Sequence, residues 1–122
     1  MKRTLPLIPL LMAAVLIAAP FSDTQASDGF ASGTNLKDWC DNLERNDIHW
    51  GLCVGSITAA HDMVMTYQAA DVALQVVCTD MTTTRGDVVV SVIDYLHEHP
   101  NELDYSLGDV VLSALVEKFP CD

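Results

Sequence analysis

The sequence predicts an all-α fold, a small four-helix bundle-like domain (or one with slightly more helices) closed by two disulfides. Three observations lead there: an N-terminus built for export, four cysteines beyond it, and apolar residues recurring at helical spacing through most of the remainder. Lys2 and Arg3 precede an almost purely apolar stretch from Leu5 to Ala19, and Thr24-Gln25-Ala26 offers a small-residue cleavage site. The apolar run falls short of the about 20 residues a membrane span wants, and Pro6 and Pro9 interrupt it. No cysteine follows closely enough for a lipid anchor. Residues 1–26 are therefore expected to be a secretory signal peptide, the alternative being a retained anchor. Residues 27–122 then form one domain in an oxidising compartment, where Cys40, Cys53, Cys78 and Cys121 read as disulfide partners.

Each element has its own justification. Residues 27–34 are small and polar and read as a loose leader. Leu36, Trp39, Cys40 and Leu43 share one face of a first helix that Thr34 or Asn35 is placed to cap. Residues 46–50 read as a short connection. Cys53, Ile57, Ala60 and Val64 form the stripe of a second helix. The stretch 69–77 is ambiguous between helix and extended chain. Thr83 or Thr84 is placed to cap a third helix with core positions Val89, Val92, Ile93 and Leu96, and Asp87 stands near its positive end. Pro100 stops that helix, because the residue before a proline is driven out of the α region. A last helix carries Leu107, Val110, Val111, Ala114 and Leu115 and ends at Phe119-Pro120-Cys121. An up-and-down arrangement favours Cys40–Cys53 with Cys78–Cys121 among the three possible pairings. The second bridge closes a loop of about 40 residues, worth about 3–4 kcal/mol in the chain-entropy model.

Charge narrows the partners. The whole chain has 6 basic and 17 acidic residues; without Lys2, Arg3 and Asp23 these fall to 4 and 16, a net charge of −12. So acidic a surface repels phosphate backbones and anionic lipid, which makes nucleic acid and membrane poor partners; it suits either a cationic protein surface or simply the solubility of a small secreted protein, and composition does not choose between the two. Catalytic and metal chemistry are equally thin. The closest cysteines are thirteen apart, and His97 and His99 point to different sides of a helix, so no tight zinc-binding pair exists. Disulfide bonding removes the thiolate that Cys–His catalysis needs, and no nucleophile elbow surrounds a serine. His61 falls among apolar positions of the second helix and reads as a hydrogen-bonded core or interface residue. We therefore expect no enzyme, no cofactor and no metal.

One segment stands apart. From Tyr95 to Tyr105 the chain concentrates two tyrosines, two histidines and several carboxylates around Pro100. Aromatic residues amid polar ones are what interface hot spots use, and a proline-stiffened turn presents them at low entropic cost. The ordinary alternative is a solvated inter-helix turn. On the third helix, Val88, Ser91, Val92 and Tyr95 form a second semi-apolar stripe beside the core face, which reads as a partner surface.

The motifs then match a known family over essentially the whole exported chain. They are Leu36 to Cys40, then Cys53, Gly55, Ile57 and Asp62, then Cys78 and Thr84. Tyr95-Leu96, His99-Pro100 and Glu102 follow, and Val110-Val111, Ala114-Leu115 and Phe119-Pro120-Cys121 close the pattern. The chain resembles the Rap1a/Tai family, periplasmic immunity proteins of type VI secretion systems. It departs at Ser56, where the family carries tyrosine, at Ala59 (glycine), Asp80 (proline) and Asp87 (glutamine). Asn101 also displaces the glutamate after His99-Pro100 by one position. The resemblance implies an all-helical Rap1a/Tai-like immunity domain over residues 27–122, often a homodimer, that inhibits a peptidoglycan amidase effector by plugging its groove. Tyr95, His97, Glu98, His99, Asn101, Glu102, Asp104 and Tyr105 are the candidate effector-binding residues. The acidic first helix and its following loop (Asp38, Asp41, Glu44, Asp47) are the rival surface. Two further classes compete: a periplasmic acid-stress chaperone-like helical protein, loosened as carboxylates protonate, and a hydrolase.

Overall fold

The computed structural model describes residues 30–42 and 47–122. The expected signal peptide lies outside them, as do Leu43 and Glu44. Among the described residues there are four α-helices: α1 (Gly33–Asp41), α2 (Asp47–Ala69), α3 (Arg85–Glu98) and α4 (Leu107–Lys118), with a 3₁₀ turn at Pro100–Glu102 between α3 and α4. None is long and apolar enough to cross a membrane.

Helix α1 starts earlier than the sequence indicates. Its cap is Ser32, whose hydroxyl accepts from the Asn35 backbone N–H at 3.3 Å while the Asn35 side chain accepts from the Ser32 N–H at 3.0 Å. This reciprocal box makes Asn35 the third helical residue rather than the cap. Residues 31–34 are also not a loose leader. Leu107 N–H donates to Ala31 O at 2.8 Å, Gly33 N–H to Tyr105 O at 3.0 Å, and Thr34 N–H to Leu103 O at 2.8 Å. The backbones lie so close that only glycine fits: a Cβ on Gly33 would sit 2.9 Å from Val110 Cγ2 and 3.0 Å from Leu103 Cα. Gly33→Ala is expected to cost about 1–3 kcal/mol by overpacking, read as a lower urea midpoint at unchanged m-value; an unshifted midpoint refutes the contact.

The expected connection at 46–50 is helical, since α2 begins at Asp47. Cys53 and Ile57 are wholly buried, and Ala60 and Val64 pack against the core. The ambiguous stretch resolves as a break. After Ala69 the chain turns through Asp71 in the left-handed region (φ 54°), a conformation aspartate tolerates better than most residues, bends at Val72 and Ala73, whose N–H groups donate to Tyr67 O, and reaches an isolated antiparallel bridge from Val77 to Pro120. Gln68 fixes this segment. Its buried side chain accepts from Val76 N–H (3.1 Å) and Val77 N–H (3.0 Å) and donates to Val77 O (2.7 Å).

Thr84 caps α3, accepting from Asp87 N–H at 3.2 Å while the Asp87 carboxylate takes the Thr84 N–H and hydroxyl at 2.8 and 2.7 Å. Hydrogen bonds from the Thr84 hydroxyl and then its backbone hold the Asp87 carboxyl below the usual carboxylate range. Asp87 thus performs at the third helical position what glutamine or glutamate does in a capping box. The second stripe read as a partner surface is core instead. Val88, Val92 and Tyr95 are buried and Ser91 is half-buried, because α3 packs against α2 on one flank and α4 on the other.

Both disulfides join the favoured pairs, Cys40–Cys53 and Cys78–Cys121. The route differs from a simple up-and-down bundle. The α3–α4 connection crosses to the start of α1, so that the last turns of α3 and α4 end side by side, with Lys118 Nζ 3.0 Å from the Glu98 carboxylate. Cys78 reaches Cys121 because the extended chain before it bonds to the residues after α4, Cys78 N–H donating to Phe119 O at 2.8 Å.

Candidate binding surface

The segment Tyr95–Tyr105 is a braced projection. At its base, Tyr95 is only 4% exposed, and its hydroxyl donates to the Glu102 carboxylate, closing the turn across seven residues. Burial, then the bond to Glu102, pushes the Tyr95 phenol up from 10.0 to about 12. His99 stacks on the Tyr95 ring (centroids 3.9 Å apart) while its N–H donates to Tyr95 O at 2.9 Å to end α3. At its far side the turn is stitched to α1 through Leu103 O and Tyr105 O.

The raised phenol has a consequence with a definite sign. A group whose folded pKa exceeds its unfolded value contributes stability that is complete below the unfolded pKa and lost as pH rises through the folded one. Tyr95 is therefore expected to lose its contribution between about pH 10 and about pH 12. Tyr95→Phe should cost about 1.5 kcal/mol at neutral pH and flatten that alkaline limb in circular-dichroism melts. A limb of wild-type steepness in the variant would show that another group carries it.

The candidate residues divide into braces and crest. Tyr95, His99 and Glu102 are engaged within the fold. His97 lies on the surface with its Nε2 3.0 Å from Asp41 Oδ1, and His99 Nε2 lies 3.4 Å from Glu117. Glu98 is paired with Lys118, whose ammonium is raised above its ordinary range chiefly by that hydrogen bond. The crest is Asn101, Asp104 and Tyr105, all exposed; Tyr105 is 58% exposed, and Asp104 makes no ion pair among the described residues. On the rival surface, Asp41 is bound to Lys37 and His97, and Asp38 accepts from Asn42. Glu44 and the Asp47 side chain lie outside the described residues.

Two other surfaces escaped the sequence. Between α2 and α3, Trp50, Val54, Arg85, Gly86, Val89, Val90 and Ile93 line a mostly apolar groove of about 290 Å³, with Trp50 51% and Val90 57% exposed. Trp50 stands three residues before Cys53 and seven before Ile57, on their helical stripe, but it falls in the stretch read as a short connection, so only its residue type hinted at a role. The other is the exposed apolar chain after Gln68. His61 is half-buried, its Nδ1 3.2 Å from Asp62, beside a polar pocket of about 150 Å³ lined by Thr58, Thr79 and Arg85 among others. Among the described residues no three His, Cys, Asp or Glu side chains are grouped to hold a metal ion.

A family model described as Rap1a immunity proteins matches residues 32–121. No curated protein and no solved structure gives a significant match.

Proposed function

The chain belongs to the Rap1a immunity proteins, and from that membership we propose that it is a periplasmic protein that binds a cognate type VI secretion peptidoglycan amidase and blocks its active-site groove. The observation that carries this reading is the braced turn. A groove that admits a peptide stem is closed by any rigid projection of fitting shape, and the inhibitor needs no chemistry of its own. Here the projection is fixed at both feet, by Tyr95–Glu102 on α3 and by Leu103 and Tyr105 on α1, and it exposes one aromatic ring and one unpaired carboxylate. An amidase of the Cys–His type carries an imidazolium or imidazole at the end of its groove, and Asp104 is the carboxylate free to meet it. The two disulfides suit an oxidising periplasm.

The test is protection. Each exported product of the neighbouring genes is directed to the periplasm of a sensitive host, alone and with this chain. The expected result is lysis by one of them, relieved by co-expression, with that product releasing peptide stems from purified peptidoglycan until this protein is added in stoichiometric amount. Relief of lysis without inhibition of wall cleavage overturns the groove-blocking mechanism.

The homodimer is part of the same proposal, on a different surface from Val88, Ser91, Val92 and Tyr95. The groove around Val90 is exposed, apolar and flanked by Trp50, and Gly86 on its rim offers no side chain to hold a second helix away. A two-fold pairing of α3 faces buries it on both copies. Light scattering at tens of micromolar should return twice the chain mass for the wild type and the single mass for Val90→Glu. A wild-type monomer at that concentration refutes the pairing.

A further inference from the structure

His61 holds a buried atom that the fold leaves unanswered. Its Nδ1 lies 3.2 Å from the Asp62 carboxylate, and since a carboxylate only accepts, the proton sits on Nδ1. Its Nε2 is shut off from solvent and has no hydrogen-bond partner among the described residues. An unsatisfied buried nitrogen is costly, and apolar packing would have avoided it. The fold instead leaves a polar pocket of about 150 Å³ beside this ring, between α2 and the start of α3.

The same pocket gathers two more unspent donors. Arg85, the first residue of α3, lines it and enters no ion pair among the described residues, whereas Lys37 and Lys118 each hold a carboxylate. The carboxylates of its own segment are engaged elsewhere, Asp80 by Thr82 and Thr83 and Asp87 by Thr84. Thr79 contributes a hydroxyl that makes no hydrogen bond among the described residues, while Thr58 and Thr83 spend theirs on Val54 O and Asp80. A guanidinium, a hydroxyl and an imidazole nitrogen thus border one small space.

Those groups specify an anion. A guanidinium presents a planar fork that matches the two oxygens of a carboxylate. The imidazole joins it once Nε2 also carries a proton, taken from solvent, so that the ring stands between Asp62 and the bound group. A dianion such as phosphate fits worse, because Asp62 lines the space and Asp80 and Asp87 flank its threonines with further negative charge. The volume of about 150 Å³, against ~300 Å³ for the smallest drug-sized pockets, suits a head group rather than a whole organic ligand. The polarity of α3 is not the source of attraction, since the Thr84–Asp87 box already caps it.

We propose that this pocket binds a single carboxylate group on Arg85, Thr79 and His61 Nε2, with uptake of one proton by the imidazole. The site is separate from the Tyr95–Tyr105 turn and independent of which enzyme the protein inhibits.

The probes are acetate, N-acetylglycine (a carboxylate at the end of a peptide unit) and the uncharged amide of the latter. Each is titrated into isotopically labelled, disulfide-intact protein, with chloride holding the ionic strength constant. Acetate at about pH 6 is expected to give saturable shifts at the His61 ring and the Arg85 guanidinium, and to bind about tenfold more weakly at about pH 8. Asp62, Asp80 and Asp87 are the carboxylates around the ring, and carboxylates ordinarily titrate below about pH 5, outside that window. His61→Gln keeps a donor and should bind acetate with no pH dependence, whereas Arg85→Gln should weaken binding about tenfold. Lys118→Gln should change neither. N-acetylglycine binding tighter than acetate assigns the carboxylate to a peptide end, and equal binding assigns it to a small free acid. Shifts no larger than those from chloride, equal binding of the amide, tighter binding of phosphate, a pH-independent wild type or an unaffected Arg85→Gln each overturn the proposal. So does a preference for ethylammonium, which would make Nε2 an acceptor. Should Arg85→Gln melt early, Arg85→Lys, which keeps the charge and loses the fork, decides by the same loss of affinity.

Discussion

Replacing Cys78 and Cys121 by alanine is expected to destabilise the protein by about 4 kcal/mol, the value the chain-entropy model gives for a loop of their separation, 43 residues. For a domain near 100 residues each kcal/mol shifts the melting temperature by about 4–8 °C, so the melt should fall by about 15–30 °C. Removing Cys40–Cys53, separated by 13, costs about 3 kcal/mol by the same argument. The ordering has a second cause. Cys78 is the covalent anchor of the Gln68-pinned segment, and without it Val77 is kept in the core only by Gln68 and by backbone pairing to the residues after α4. Cys40 and Cys53 are buried between two helices that already pack closely, so their alanine variant keeps more of its order. Thermal melts of the two double variants against wild type decide the matter. If the Cys40/Cys53 variant melts lower, loop length is not what governs these bridges.

Tyr105→Ala should weaken binding to the cognate amidase by about 2 kcal/mol or more, roughly 30-fold, if the turn is the inhibitory surface. The residue is exposed in the free protein, and its backbone N–H and O are bonded to Glu102 and Gly33 through atoms that alanine retains. The fold therefore survives, and the loss reports the ring alone. Asp104→Asn should slow association and flatten its salt dependence, because a rim carboxylate steers the encounter. Glu98→Gln should do less, since Lys118 already shares that charge. The rival surface makes the opposite forecast. Asp38→Asn and Asp41→Asn on α1 would then abolish inhibition while the turn variants inhibit at full strength. Asp41 spends its charge on Lys37 and His97, which is why the turn is favoured.

Much of this was legible in the sequence, for one reason. Helix type and core face follow from local spacing and local caps: Thr84 before Asp87, Pro100 after His99, and Val110, Val111, Ala114 and Leu115 on one stripe of α4. The disulfide pairs follow from element order, although the α3–α4 connection crosses to α1 where a simple up-and-down bundle would not. What sequence pattern missed is non-local. Gly33 looks like leader until Leu103 and Val110 close on it. Gln68 looks like a polar position in a helix until its side chain stands in for a missing strand partner. Val88 and Tyr95 look like a second face until α2 and α4 cover both sides of α3. Periodicity states which residues share a face; only the packing of the other helices decides whether that face meets protein or water.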